Sequence, residues 1–157
     1  MIITKTPYRI SFFGGGTDLN QWFKENGGAV ISTSIDKYCY ISCRFLPKFF
    51  AHKYRFVYSQ IEDVIKIEDI KHPAIKGLLG HLNWDQGIEL HHDGDLPARS
   101  GLGSSSSFTV GLLNALQGLS GRMAHKDGLA QDAIHVEQNI IGENVGSQDQ
   151  VSAAYGG

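Results

Sequence analysis

Apolar and polar residues alternate over residues 2–13, a period of two that predicts a β-strand. Tyr8, Ile10 and Phe12 fall on one of its faces, Arg9 and Ser11 on the other. Gly14-Gly15-Gly16-Thr17-Asp18 breaks the alternation. A short helix over 19–24 is expected next, stopped by Asn26-Gly27-Gly28. Residues 29–45 are rich in β-branched and aromatic side chains and read as two strands, with a turn at Asp36-Lys37. Residues 54–58 read as a further strand. Residues 61–70 carry both patterns, and a strand is placed at 64–67. A helix is expected over 72–82, with Pro73 in its first turn. A strand over 88–92 and a helix over 104–119 follow; Phe108, Leu112 and Leu116 recur at four-residue steps, with Leu113 beside them. Gly111 costs that helix about 1 kcal/mol relative to alanine, so it marks close packing. The last helix is placed at 126–141. This order predicts a two-layer α+β fold in one domain, residues 1–157, long enough for a real core.

Composition changes this picture little. The chain is 41% hydrophobic and 19% charged with a net charge of −2, which leaves no footprint for nucleic acid or an anionic membrane. No apolar run reaches the length of a membrane span. Met1-Ile2-Ile3-Thr4-Lys5 lacks the basic and long apolar regions of a signal peptide, so a cytoplasmic protein is expected. Cys39 and Cys43 lie four apart on a strand, about 13 Å between Cα atoms at roughly 3.3 Å per residue. A disulfide needs less than about 7 Å, so two reduced, packed thiols are expected. His91 and His92 point to opposite faces of a strand and do not converge on one metal. Trp22 and Trp84 are expected in the core, with Trp84 also a candidate for a base pocket.

The nineteen glycines are many for this length and cluster in a few turns. The most telling cluster is Pro97-Ala98-Arg99-Ser100-Gly101-Leu102-Gly103-Ser104-Ser105-Ser106-Ser107, which runs straight into an apolar helical stretch. Glycines let backbone N–H groups approach a ligand, and a helix N-terminus adds unpaired donors and a positive dipole end. The segment reads as a phosphate-binding loop and points to a nucleotide. It lacks the lysine of the common P-loop, and G-x-G-x-x-G is absent. The bland alternative is a serine-capped helix after a glycine turn.

Two carboxylates complete the candidate chemistry. Glu137 shares an apolar stripe with Ala130, Ala133, Ile134 and Ile141. A carboxylate on a buried face must be paired, protonated or metal-bound. Mg²⁺ prefers oxygen ligands and one or two carboxylates, and Glu137 with a loop serine would suit it. The alternative is a glutamate at the stripe edge, reaching solvent. Gly146-Ser147-Gln148-Asp149-Gln150 reads as a second glycine-led polar turn. There Asp149 is either an ordinary turn aspartate or a group that orients or deprotonates a hydroxyl, with Arg9 paired to it and keeping it ionised.

Together these segments resemble the GHMP small-molecule kinases, named for galactokinase, homoserine kinase, mevalonate kinase and phosphomevalonate kinase. Thr6-Pro7-Tyr8-Arg9-Ile10 through Gly14-Gly15-Gly16-Thr17-Asp18 is similar to the first family motif, and Pro97 through Ser107 to the second. Glu137 and Asp149 match the family's helix glutamate and catalytic aspartate in order and spacing. Ser106-Ser107 stands where the family more usually has an alanine pair. Within the family, Arg9 through Asp18 and Gly146 through Gly157 are most similar to the heptose 7-phosphate kinase branch.

The resemblance implies the two-layer N-terminal domain of that family (ribosomal protein S5 domain 2-like), with the family's C-terminal domain and third glycine-rich motif absent. It implies ATP-dependent phosphorylation of a sugar hydroxyl, the anomeric one of a heptose 7-phosphate foremost. ATP phosphates would lie on Pro97, Ser100, Gly101, Leu102, Gly103, Ser104, Ser105 and Ser106. Mg²⁺ would lie on Ser105 and Glu137. Asp149 would be base or orienting group, Arg9 its partner, and Gly14, Gly15, Gly16, Thr17 and Asp18 the sugar-binding segment. A distal sugar phosphate would call for a basic clamp, for which Lys37, Arg44 and Arg55 are candidates. A fucose- or galactose-type kinase and a non-catalytic nucleotide- or sugar-binding module stay open beside this reading.

Overall fold

The computed structural model describes residues 1–98 and 100–157. Arg99, within the glycine–serine segment, lies outside the described residues. Five strands form one sheet: β1 (Ile2–Phe13), β2 (Ile31–Phe45), β3 (Tyr54–Val57), β4 (Ile61–Val64) and β5 (Ile88–Gly94). Their spatial order is β1-β2-β5-β3-β4, antiparallel except where β5 runs parallel to β3. Five helices accompany them: α1 (Asn20–Asn26), α2 (Pro73–His81), α3 (Ser104–Leu119), α4 (Lys126–His135) and α5 (Gln148–Tyr155). Short 3₁₀ turns occupy Gly15–Asp18 and Ile67–Asp69, and a π-helical turn, Val136–Ile141, extends α4. The two-layer α+β arrangement is the one the sequence pattern predicts. Among the described residues no helix is long and apolar enough to cross a membrane.

The core lies between one sheet face and the helices. Cys39, Ile41, Cys43, Phe56, Ile88 and Leu90 face Ile75, Leu78, Leu112, Leu113 and Leu116, all essentially inaccessible to solvent. Both cysteines are free and buried, and burial pushes each thiol up to about 12. The helix α3 covers β1 and β2 closely. A Cβ on Gly111 would come within 2.7 Å of Thr6 Oγ1, so the contact requires glycine. Thr4 Oγ1 donates to the Gly111 carbonyl across the same seam.

Several expectations are corrected. Residues 31–45 form one strand, not two: Asp36-Lys37 sits in a register irregularity, where β1 advances two residues while β2 advances four. The extra β2 residues bulge without reversing the chain. The same irregularity flanks Tyr8, so Tyr8 does not share a face with Ile10 and Phe12. Tyr8 is buried, whereas Ile10 and Phe12 are exposed. Beyond it, Arg9 and Ser11 join Tyr8 in facing the helical layer. The strand placed at 64–67 lies three residues earlier, as β4, because Glu62 turns inward to accept N–H bonds from Lys71 and His72. Trp84 is buried, but Trp22 is half exposed on α1. The polar turn at 147–150 is the first turn of α5.

Candidate functional site

The irregularity in β1 aims Arg9 at α5. Arg9 Nε donates to Asp149 Oδ1 at 2.7 Å, its Nη2 lies 2.6 Å from the same oxygen, and Nη1 donates to the Gly101 carbonyl at 3.0 Å. One guanidinium thus joins the second residue of α5 to the glycine loop. Among the described residues Asp149 Oδ2 has no hydrogen-bond partner, and it faces Gly103. The Arg9 backbone N–H also donates to the Leu102 carbonyl, fastening the loop to the sheet edge.

The loop ends in a helix start built on left-handed backbone. Gly101 and Gly103 have φ of +76° and +77°, and Gly103 is the residue before α3. The Ser107 N–H is taken by the Gly103 carbonyl, and Ser107 Oγ donates to the Pro7 carbonyl. The α3 N-terminus opens into a cavity of about 200 Å³ lined by Gly101, Gly103, Ser105, Ser106, Glu137 and Asp149. Its positive dipole end suits an anion at the helix start, while Arg9 is already paired with Asp149 and the carboxylates of Glu137, Glu143 and Asp149 on the same wall suit a cation beside it.

Glu137 lies in the π-helical turn and is wholly buried, so it is not a stripe-edge residue reaching solvent. π-Turns of this kind are rare and recur at functional sites. Ser106 Oγ donates to Glu137 Oε2 at 2.8 Å, and Gln150 Nε2 donates to the same oxygen. Glu137 Oε1 is buried without a hydrogen-bond partner. Burial pushes this carboxyl above its ordinary value, against the hydrogen bonds from Ser106 and Gln150, and the charge of Glu143 pushes the same way as burial. A buried carboxylate with one free oxygen beside serine hydroxyls is a hard-oxygen donor set, which fits Mg²⁺. Ser106 is the serine touching Glu137; Ser105 lines the same cavity from the exposed side.

The first glycine run anchors α5. Asp18 accepts from Ser147 Oγ and from the Gln148 N–H, both at 2.8 Å, and so caps the helix that carries Asp149. A Cβ on Gly146 would lie 1.9 Å from Asp18 Oδ2, so glycine is required there. Ser11 Oγ donates to Gln148 Oε1, and Gly15 stands against that same glutamine. Asn20 holds Gln138, which donates to the Val145 and Gly146 carbonyls.

Arg9, Gly101–Ser106, Glu137 and Asp149 therefore converge, with Gly14–Asp18 at the same end of α5. Pro97 and Ser100 stand further back on the exposed approach to the loop. Arg44 and Arg55 do not join the site. They lie on the opposite sheet face, paired with Glu89 and Asp63. The sequence reading missed Gln150, Gln148 and Glu143. Ser147-x-x-Gln150 has the spacing of a capping box, the one signal that could have announced α5.

Set against known proteins, the chain is 29% identical over 167 residues to a D-glycero-alpha-D-manno-heptose 7-phosphate kinase of Campylobacter jejuni, covering 99% of this chain and 49% of that protein. It is 29% identical over 164 residues to a galactokinase of Chloroflexus aurantiacus, covering 98% of this chain and 40% of that one. The chain thus spans about half the length, or less, of these curated relatives. Its fold matches the crystal structure of a D-glycero-D-manno-heptose 1-phosphate kinase from Bacteriodes thetaiotaomicron with a TM-score of 0.88 at 22% identity, over 100% of this chain and 54% of that one. Residues 68–157, from the end of the β-rich half through α5, match the model of the GHMP kinases N terminal domain. That match takes in the serine loop, Glu137 and Asp149 over more than half the chain, and the chain belongs to the GHMP kinase family.

Proposed function

We propose that residues 1–157 are the nucleotide-binding domain of an ATP-dependent sugar kinase, transferring the γ-phosphoryl group to the anomeric hydroxyl of a heptose 7-phosphate. The observation that carries this reading is Asp149 Oδ2, which faces the phosphate loop with no partner among the described residues while Oδ1 is pinned twice by Arg9. A nucleophile-orienting carboxylate next to an anion cradle is what phosphoryl transfer asks of a protein. The likeness to the heptose 7-phosphate kinase, which extends over nearly the whole chain, favours a heptose phosphate as acceptor.

In this reading the loop from Ser100 to Ser106 and the α3 N-terminus hold the ATP phosphates by backbone N–H groups, with Pro97 leading into the loop. Gly14, Gly15, Gly16, Thr17 and Asp18 border the sugar. Asp18 also caps α5, so sugar binding and the aim of Asp149 are coupled through one carboxylate. Asp149 Oδ2 accepts the proton of the attacking hydroxyl as its oxygen bonds to the γ-phosphorus and the bond to the ADP oxygen breaks. Glu137, with Ser105 or Ser106, would hold Mg²⁺, which when bound offsets the phosphate charge.

The test is sugar-dependent ADP release by the full encoded protein, over a panel including heptose 7-phosphate, galactose and fucose. Turnover is expected with the heptose phosphate, falling about a hundredfold or more in Asp149→Asn. Turnover with galactose or fucose alone would move the substrate within the family. Nucleotide binding without turnover on any sugar would overturn the catalytic reading in favour of a binding module.

A further inference from the structure

Beside the phosphate cavity lies a second cavity of about 300 Å³. Its inner wall is Tyr8, His72, Pro73, Leu96 and Phe108, with His72 stacked on Phe108 at 4.8 Å between ring centroids. His72 Nδ1 is buried without a hydrogen-bond partner. Burial holds the His72 imidazole below its ordinary value, so near neutral pH it stays uncharged. A mostly apolar cleft with one unused polar atom suits a flat heteroaromatic ring. Ser104, Ser105 and Glu143 line both cavities. The two form one groove, and Glu143 stands at the junction.

We propose that Glu143 reads the ribose of the bound nucleotide, and so selects ribonucleotides over deoxyribonucleotides. This rests on the nucleotide reading above. Between the ring and the phosphates of a nucleotide lies only the sugar, whose vicinal hydroxyls are donors. A carboxylate repels phosphate but accepts from two adjacent hydroxyls, in charge-assisted hydrogen bonds. Glu143 is exposed and makes no side-chain hydrogen bond or ion pair among the described residues. Its backbone is pinned. Gly142, at φ +79°, ends the π-helical turn, and the Glu143 N–H donates to the Glu137 carbonyl at 2.9 Å. The residue that reads the sugar of the nucleotide is thereby held six residues along from the buried carboxylate proposed for the cation.

The experiment measures the affinity of the protein and of Glu143→Ala for ATP, 2′-deoxy-ATP, 3′-deoxy-ATP and inorganic tripolyphosphate, by calorimetry at fixed Mg²⁺. The unaltered protein is expected to prefer ATP over either deoxy analogue by about tenfold, the low end for a hydrogen bond to a charged group. In Glu143→Ala that preference should collapse to within about twofold, with tripolyphosphate bound no more weakly than before. An unchanged preference in the variant overturns the proposal. So does an equal weakening of all four ligands, which would place Glu143 on the cation instead. Failure of the unaltered protein to bind any of the four would refute the nucleotide reading itself.

Discussion

Replacing Gly111 by alanine tests the seam that holds the phosphate loop against the sheet. The added Cβ would lie 2.7 Å from Thr6 Oγ1, and 3.4 Å from both Ile41 Cδ1 and Thr4 Oγ1. Thr6 cannot move aside easily. It is buried, β-branched and therefore stiff at χ1, and its backbone is paired with Cys39 in the ladder. The helix must instead lift by several tenths of an ångström. That strains the Thr4 bond to the Gly111 carbonyl and the Ser107 bond to the Pro7 carbonyl. Overpacking of this kind costs about 2–3 kcal/mol, and alanine returns about 1 kcal/mol of helix propensity. The net loss of roughly 1–2 kcal/mol corresponds to about 2–8 °C in Tm for a chain of this size. Thermal unfolding followed by circular dichroism reads it directly. In a Thr6→Ala background the close contact is gone, and Gly111→Ala should then be neutral or stabilising. The two substitutions thus couple by about 1 kcal/mol or more. An unchanged or raised Tm for Gly111→Ala with Thr6 in place would refute the argument, because propensity alone would then be deciding the outcome.

Two further outcomes follow from the same geometry. Burial raises the Glu89 carboxyl, but hydrogen bonds from His91 and Arg44 outweigh it and hold the group below its ordinary value. Its contribution is therefore present above pH ~4.5 and lost as pH falls through the lowered value. Glu89→Gln should lower stability by about 1–3 kcal/mol at pH 7, with the gap to the unaltered protein closing in acid; urea titrations across pH 3–7 check it, and a gap independent of pH would contradict it. Asp18→Ala removes the α5 cap, at about 1–2 kcal/mol. It should lower turnover of the full encoded protein while leaving its ATP affinity unchanged, and a parallel loss of ATP binding would show that Asp18 does more than hold α5 and the sugar.

The local elements were legible where one periodicity governed a segment. The helix over 104–119 appears with those bounds because its apolar stripe, its glycine start and its length all agree. Residues 31–45 read as two strands because Asp36-Lys37 has turn composition, while β1 pairs with β2 on both sides of it, at Ser34 and at Tyr38, and keeps the chain extended. Nothing local encodes that pairing. The helix α5 was hidden because its cap comes from Asp18, far away in sequence. Glu137 was found from its place on an apolar stripe, since a burial pattern survives in one dimension. Gln150 and Glu143 were not, since a glutamine at a helix start and a glutamate after a glycine look like ordinary surface residues.

The sequence by itself determined the fold class and singled out the glycine–serine loop, because both rest on residue type and short spacing; it raised the pairing of Arg9 with Asp149 only as one of two alternatives, since 140 positions separate them. Only the tertiary structure decided which atoms are spent and which are left. It shows that Arg9 occupies one oxygen of Asp149 and leaves the other, that Ser106 and Gln150 saturate one oxygen of Glu137, and that two cavities meet at Glu143. The physical reason is that propensity and periodicity act between near neighbours along the chain. Hydrogen-bond saturation and cavity shape depend on groups that meet only after the sheet and the helices have packed.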